Sequence, residues 1–134
     1  PEDDVRIVLV DTFKDETEES LRLAEAMGER LQGVRLDTPG ERGGVTPDLV
    51  RELRARLDQA GFNHVKIFVS GGVTPERLTV LAEAGADSFG VGSYISAASP
   101  IDMTMDIKEV EGRPIAKRGR IPGITPNPKL EQVM

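Results

Sequence analysis

The feature that most constrains the fold of this chain is a tetrapeptide that occurs twice, as Gly44-Val-Thr-Pro47 and as Gly72-Val-Thr-Pro75. Each copy opens a stretch with leucines at helical spacing, because threonine caps a helix and proline suits its first turn. The second copy follows a β-branched apolar run, which is typical of a strand buried on both faces. The chain therefore contains an internal strand–loop–helix repeat.

The same alternation extends over most of the sequence. Strands are predicted over 6–10, 34–37, 64–69 and 88–91, and helices are predicted to start after Asp15, Thr46 and Thr74 and to stop near Gly33, Gly61 and Gly85. This order predicts an α/β fold with a parallel sheet and right-handed crossovers. Barrels and doubly wound open sheets both use such units, and the repeat favours a (β/α) barrel. A full barrel needs about 250 residues, so this chain is expected to supply its C-terminal portion.

The pattern changes after Pro100, which predicts two domains with a boundary at residue 104. Residues 1–104 read as the C-terminal βα units of an irregular barrel. In residues 105–134, an alternating run ends at Val110, Glu111-Gly112 forms a turn, and a second run starts at Arg113, which indicates a β-hairpin. The remaining tail is rich in proline and glycine, so we expect it to be extended.

Composition excludes several classes of function. The net charge is -6, and the basic residues near the C-terminus have no interleaved aromatics, which argues against nucleic-acid binding. The chain has no cysteine, so disulfides and thiolate metal sites are excluded. No stretch approaches the roughly 20 apolar residues that span a bilayer. We expect a cytoplasmic location and no membrane partner. Because the first residue is Pro1 and not methionine, we interpret the chain as a piece of a longer protein.

Two glycine turns follow successive predicted strands. Ser70, Gly71 and Gly72 precede the third helix, and Gly90, Gly92 and Ser93 lie about twenty residues later. Small residues leave backbone N–H groups uncovered, and a helix N-terminus attracts anions. The glycines could simply permit tight turns. The pairing of two such turns at neighbouring strand ends favours a phosphate-binding cradle, as found at the C-terminal face of barrels.

Charged and hydroxyl residues also follow the strands. Asp11 and Thr12 follow the first strand, and Arg35 stands two residues before Asp37 on the second, so both point to one face. Two carboxylates with an arginine could bind a divalent metal, sugar hydroxyls or both. The alternatives are a turn cap at Asp11 and a purely structural ion pair between Arg35 and Asp37.

The order of these motifs resembles the C-terminal half of the nicotinate phosphoribosyltransferase family over roughly residues 5–123. The motifs are, in order, Val10-Asp-Thr12, Val34-Arg-Leu-Asp37, Val69-Ser-Gly-Gly72, Phe89-Gly-Val-Gly-Ser93, Gly112-Arg-Pro-Ile-Ala-Lys-Arg-Gly119 and Pro122-Gly123. Many phosphate-binding barrels share the two glycine turns. The Arg-x-Asp strand and the hairpin motif are more specific to this family and its nicotinamide-using relatives.

The resemblance implies a barrel joined to an α/β sandwich domain and a working unit of at least a dimer. It implies transfer of a phosphoribosyl group from phosphoribosyl pyrophosphate to nicotinate, with Mg²⁺ and with ATP as a co-substrate. The products would be nicotinate mononucleotide, a precursor of NAD, and pyrophosphate. The family's catalytic histidine lies upstream, and His64 does not match its context. This chain alone is therefore expected to be inactive and to need the N-terminal part of the same protein.

By resemblance, the two glycine turns would bind the 5′-phosphate. Asp37 would bind ribose hydroxyls or Mg²⁺, Arg35 would bind the base or hold Asp37, and Asp11 would lie near the magnesium and pyrophosphate. Asp11, Arg35 and Asp37 are the predicted catalytic residues, with Asp11 and Asp37 as metal ligands; Thr12, Ser70, Gly71, Gly72, Gly90, Gly92 and Ser93 are the predicted substrate-binding residues. The alternatives are a quinolinate phosphoribosyltransferase relative, a flavin-phosphate oxidoreductase, and a non-catalytic phosphate-binding module.

Overall fold

The chain divides into two compact units, Pro1–Ala98 and Ser99–Met134, in the computed structural model, which describes residues 4–129 and residue 131. The division falls a few residues before the boundary that the change of sequence pattern suggests. Among the described residues, none of the helices has the length and apolar character that crossing a membrane requires.

The first unit is built on a parallel sheet of four strands in sequential order. The strands are β1 (Ile7–Leu9), β2 (Gly33–Leu36), β3 (Lys66–Val69) and β4 (Ser88–Phe89). Each strand pairs with the strand before it in the chain. This order confirms the predicted α/β fold and is the order of a barrel segment, because a doubly wound sheet reverses its strand order at a switch point.

Helices follow the strands. They are α1 (Glu16–Met27), α2 (Pro47–Gln59), α3 (Pro75–Glu83) and the short α4 (Ser93–Ser96), with 3₁₀ turns at Gly28–Arg30 and Gly40–Arg42. Asp15, Thr46 and Thr74 cap the first three, as the sequence predicts. The predicted end of α1 near Gly33 is wrong, since the N–H of Gly28 bonds to Ala24 and closes the helix there.

One face of the sheet carries the core. Helix α1 packs against α2, and α2 packs against α3. Alternate strand residues point towards these helices, so each strand buries one face against them. Fully buried side chains in this layer include Val34, Leu36, Ile67, Val69, Val50, Leu53, Leu57 and Leu81.

The opposite face of the sheet, here called the inner face, is uncovered in this unit. Leu9 is 45% exposed and Ile7 is 37% exposed. Phe68 lies over Gly33 of the neighbouring strand, where a Cβ atom would come within 2.8 Å of its ring. Glycine at position 33 therefore makes room for the Phe68 ring on this face.

The second unit contains the predicted hairpin, formed by antiparallel β5 (Glu109–Val110) and β6 (Arg113–Pro114). Its two-residue turn has positive φ at both positions, 50° at Glu111 and 74° at Gly112, which suits the twist of a hairpin. The strands are shorter than predicted. The rest of this unit has no helix within the described residues, and residues 130 and 132–134 of the predicted tail lie outside them.

Candidate functional site

The carboxyl edge of the sheet brings four candidate positions into one layer. Leu9, Arg35, Phe68 and Ser88 are aligned across the strands. Two residues after each of these positions in the chain lie Asp11, Asp37, Ser70 and Gly90. Because strand residues alternate in direction with a period of two, these positions share the inner face at the carboxyl edge. Residues 20 to 33 positions apart in the chain thus become neighbours.

A cleft of about 410 Å³ opens at this edge. Its lining is Arg35, Asp37, Ser70, Gly71, Gly72, Gly90, Val91, Gly92 and Ser93. Eight of the ten predicted site residues are in this lining. Val91 is the additional one, and its place between Gly90 and Gly92 could have indicated it. The structure thus brings both glycine turns and the Arg-x-Asp strand to one cavity.

The two glycine turns offer unpaired backbone donors. Gly71 and Gly72 have φ of 83° and 61°, values that side chains rarely allow. Within residues 4–129, no acceptor bonds to the backbone N–H of Gly71, Gly72, Val73 or Gly92. Free N–H groups next to the start of a helix form a site suited to a phosphate or another anion.

Arg35 connects the two sides of the cleft. Its Nε donates to Ser70 Oγ at 2.8 Å, and its Nη2 donates to Asp37 Oδ2 at 3.2 Å. The Ser70 hydroxyl in turn donates to the carbonyl of Leu36 at 3.1 Å. The proton and one lone pair of Ser70 are therefore engaged with the protein, so its main effect is to orient Arg35.

Asp11 lies beside the cleft and anchors its floor. One of its oxygens, Oδ2, accepts from the backbone N–H of Asp37, and Thr38 Oγ1 lies 3.4 Å from the same oxygen. Thr38 donates to the buried Glu16 at 2.9 Å, and Glu16 pairs with Arg42 at 3.6 Å. This chain of contacts fixes the backbone at Asp37. Sequence reasoning missed Glu16, because its contact with Thr38 exists only after α1 has docked.

Thr12 and His64 lie apart from the cleft. Thr12 lines a separate hollow of about 170 Å³ together with Phe13. His64 precedes β3, at the opposite edge of the sheet, where its Nε2 lies 3.4 Å from the carbonyl of Gly28. The structure therefore does not bring Thr12 to the glycine turns, and it places the single histidine far along the strand from them.

The carboxylates retain acceptors for a cation. Within the described residues, Oδ1 of Asp11 and Oδ1 of Asp37 have no hydrogen-bond partner. The same residues contain no cluster of three or more potential metal ligands. Mg²⁺ commonly binds through one or two carboxylates together with phosphate oxygens of a substrate. The pair Asp11 and Asp37 fits that kind of site and does not fit a metal site made by protein alone.

The start of α3 forms the wall behind the first glycine turn. Thr74 caps the helix, and a hydrogen bond from its side chain is the main cause that lowers the pKa of Glu76 below its ordinary value. Arg77, in the first turn, donates from Nη1 to the carbonyls of Gly71 at 3.0 Å and Gly72 at 2.7 Å. Sequence reasoning did not single out Arg77, because nothing in its local pattern reveals these contacts.

These features define a segment of a parallel α/β barrel with an anion-binding cleft at its carboxyl edge. Comparison with protein families identifies the segment more closely. The family described as "Quinolinate phosphoribosyl transferase, C-terminal domain" matches residues 3–106, and the chain belongs to this family.

One curated relative and one solved structure agree with this assignment, and a shorter match is to an enzyme of another kind. The chain is 33% identical over 115 residues to a nicotinate phosphoribosyltransferase, PncB2, of Mycobacterium tuberculosis, covering 79% of this chain and 24% of the relative. It is 44% identical over 50 residues to the ribulose-phosphate 3-epimerase of Escherichia coli K12, covering 37% of this chain and 22% of that protein. A solved structure, the nicotinate-nucleotide pyrophosphorylase from Pyrococcus furiosus, is 48% identical with a TM-score of 0.71.

The match covers 92% of this chain and 32% of that solved structure. This chain therefore spans about a quarter of the matched nicotinate phosphoribosyltransferase and about a third of the matched pyrophosphorylase. The predicted resemblance is confirmed at the level of the phosphoribosyltransferase family, and the family description names quinolinate where the sequence motifs pointed to nicotinate.

Proposed function

We propose that this chain supplies the phosphate- and ribose-binding part of a phosphoribosyltransferase that acts on a pyridine carboxylate in NAD synthesis. The finer proposal is that nicotinate is the acceptor, giving nicotinate mononucleotide and pyrophosphate. The observation that carries it is the cleft in which free N–H groups of Gly71 and Gly72 lie beside the Arg35–Asp37 pair. That combination suits a sugar phosphate, which presents a dianion and neighbouring hydroxyls.

The division of work within the cleft follows from chemistry. Backbone N–H groups of the two glycine turns would hold the 5′-phosphate, since they offer donors without a flexible side chain. The Asp37 carboxylate, which accepts a hydrogen bond from Arg35, would also accept from ribose hydroxyls. As pyrophosphate leaves C1, positive charge develops on the ribose ring, and nearby carboxylates stabilise it.

The same site would need a cation when the leaving group is pyrophosphate. Asp11 and Asp37 are the residues that would hold Mg²⁺, which supplies positive charge to neutralise the departing oxygens. In this proposal the carboxylates of the chain orient the substrate and hold the cation. ATP as a co-substrate, association into a dimer, and the need for the N-terminal part of the protein remain parts of the proposal.

Quinolinate is the second candidate acceptor, because the family description names it. Quinolinate carries two carboxylates, and nicotinate carries one. Among the residues that line the cleft, Arg35 is the only cation, and Asp37 already neutralises it. This part of the site therefore offers no surplus positive charge that would choose between the two acceptors, and the preference for nicotinate rests on the relative named for it, which matches 79% of this chain.

A product assay tests the proposal. The complete protein that carries this chain is incubated with phosphoribosyl pyrophosphate, Mg²⁺ and nicotinate, nicotinamide or quinolinate, with and without ATP, and nucleotides are separated by chromatography. We expect mononucleotide from nicotinate alone, a loss of at least tenfold in kcat/KM for Asp37→Asn, because one charged hydrogen bond contributes about 1.5–3 kcal/mol, and no turnover by the 134-residue chain alone.

Thr79→Ala serves as the control, because Thr79 is exposed on α3 and its hydroxyl, within the part of the chain that the structure describes, bonds only to the carbonyl of Pro75. Product from quinolinate would move the acceptor to the second candidate. An absence of product from all three acceptors would refute phosphoribosyl transfer to a pyridine.

A further inference from the structure

Arg77 holds together two loops that follow neighbouring strands of the sheet. Its Nη1 donates to the carbonyls of Gly71 and Gly72, and its Nη2 donates to the carbonyl of Val45 at 2.7 Å. Val45 belongs to the loop between β2 and α2, which begins at Asp37. One guanidinium thus binds the glycine turn after β3 to the loop after β2.

The position of Arg77 determines which way the glycine peptides face. In a trans peptide the C=O and N–H groups point in opposite directions. Because the carbonyls of Gly71 and Gly72 face Arg77, the N–H groups that follow them, at Gly72 and Val73, face away from it. These N–H groups have no acceptor within residues 4–129.

Arg77 itself is not part of the cleft lining, whereas Gly71 and Gly72 are. The guanidinium packs directly against Gly72, where a Cβ atom would meet Nη1 at 3.3 Å. The glycine turn therefore lies between the guanidinium and the cavity. Without Arg77, the two carbonyl dipoles would be free to rotate towards an incoming phosphate, which they would repel.

We propose that Arg77 is a positioning residue for the phosphate cradle. It keeps the donors of the Gly71–Gly72 turn directed into the cleft, and it fixes the spacing between that turn and the loop that begins at Asp37. Arg77 contacts no ligand in this proposal. The proposal rests on the proposed function at one point, namely that the cradle receives the 5′-phosphate of a pentose.

The contacts require the shape of arginine. The guanidinium is a planar fork whose two terminal nitrogens reach separate acceptors. Here one nitrogen serves the glycine turn and the other serves Val45. A lysine ammonium at position 77 retains the positive charge and can bond to one of the two loops. Arg77→Lys should therefore be intermediate between the parent protein and Arg77→Ala.

Arg54 provides a matched control within the same unit. It also donates to two backbone carbonyls, those of Val65 at 2.7 Å and Phe62 at 3.2 Å. These carbonyls precede β3, at the edge of the sheet opposite the cleft. Arg54→Ala thus removes an equivalent clamp without touching the glycine turns, and it reports what a purely structural arginine contributes.

The experiment compares Arg77→Ala, Arg77→Lys and Arg54→Ala in the complete protein. For Arg77→Ala we expect KM for phosphoribosyl pyrophosphate and Kd for ribose 5-phosphate to rise about tenfold, the effect of losing one charged hydrogen bond. KM for the pyridine acceptor should stay unchanged, and Arg77→Lys should lie between. Arg54→Ala should lower the melting temperature and leave both constants unchanged.

A second measurement does not depend on turnover. Amide resonances of Gly71 and Gly72 in the complete protein should shift or broaden in Arg77→Ala and remain in place in Arg54→Ala. If the parent protein forms no nucleotide while Arg77→Ala still weakens ribose 5-phosphate binding, the proposed function fails and the role of Arg77 stands. If Arg77→Ala and Arg54→Ala leave the affinities equally unchanged, or the parent protein does not bind ribose 5-phosphate, the role of Arg77 is refuted.

Discussion

Gly71 has two separate reasons to be a glycine. Its φ of 83° is strained for any residue with a side chain. An added Cβ atom would also lie 2.6 Å from Asp37 Oδ1, so that carboxylate would have to move. Gly61 has a similar φ of 85° but open space around the added atom. A comparison of Gly71 with Gly61 therefore separates the effect of backbone strain from the effect of displacing Asp37.

We predict that Gly71→Ala and Gly61→Ala each destabilise the fold by about 1 kcal/mol, the cost of the left-handed backbone. Only Gly71→Ala should weaken ribose 5-phosphate binding, because only it displaces a cleft residue. Urea unfolding and titration calorimetry measure the two effects. Equal affinities of the two variants would contradict the assignment of the cleft.

Residue-level prediction from sequence works where the information is local. The position of Arg35 on the same face as Asp37 follows from the two-residue period of a strand, and the structure pairs them. By contrast, Arg77 bonds to Val45 across 32 residues of sequence, and Thr38 bonds to Glu16 across 22 residues. Their geometry depends on how helices dock, which no local pattern encodes.

At the level of elements, the repeated Val-Thr-Pro segment acts as a helix start in two settings. Thr46 accepts from the N–H of Leu49 at 3.1 Å, and Thr74 accepts from the N–H of Arg77 at 3.4 Å. Helix α3 begins beside the cleft glycines, so its first turn positions Arg77. Helix α2 has the same cap chemistry without a glycine turn of the cleft directly before it.

Removing each cap should therefore have different consequences. Thr46→Ala should lower the free energy of unfolding by about 1 kcal/mol, and Thr74→Ala by less because its bond is longer. Thr74→Ala should raise Kd for ribose 5-phosphate, and Thr46→Ala should leave it unchanged. The comparison needs chemical denaturation and a binding titration for both variants; a larger affinity loss in Thr46→Ala would refute this distinction.

The element boundaries show what the sequence leaves open. The helix starts are predictable, because Asp15, Thr46 and Thr74 are cap residues followed by helix formers. The end of α1 is not, because Gly28 and Gly33 both could close it. Gly33 instead belongs to β2, where the ring of Phe68 occupies the space that a side chain would need. Packing between β2 and β3 therefore determines that Gly33 belongs to a strand and that Gly28 closes the helix.

At the scale of the whole molecule, the main feature is that the four-stranded sheet of the first unit buries one face and that this unit leaves the inner face uncovered. Ile7 and Phe68 form an apolar surface there alongside Arg35, and Leu9 is exposed two residues after Ile7. Exposed apolar patches promote association. The sequential strand order was predictable from the repeat. What covers the inner face was not predictable, because no pairing among these four strands determines it.

We predict that the 134-residue chain alone self-associates and binds hydrophobic dyes through this face. Leu9→Glu should reduce association without loss of stability, since Leu9 is 45% exposed. Leu36→Glu is the contrast, because Leu36 is fully buried and an unpaired charge there should unfold the chain. Light scattering after size exclusion, with circular dichroism, measures both; unfolding by Leu9→Glu would show that the face is packed.

The sequential pairing of strands also bears on how this unit forms during synthesis. Each strand needs only the strand made just before it, so no segment has to wait for a distant partner. Pairing strands that are adjacent in the chain closes shorter loops than pairing distant strands, and domains fold as they emerge from the ribosome. The cleft is complete once β4 and Ser93 have joined the sheet, so the anion site can form while later residues are still being added.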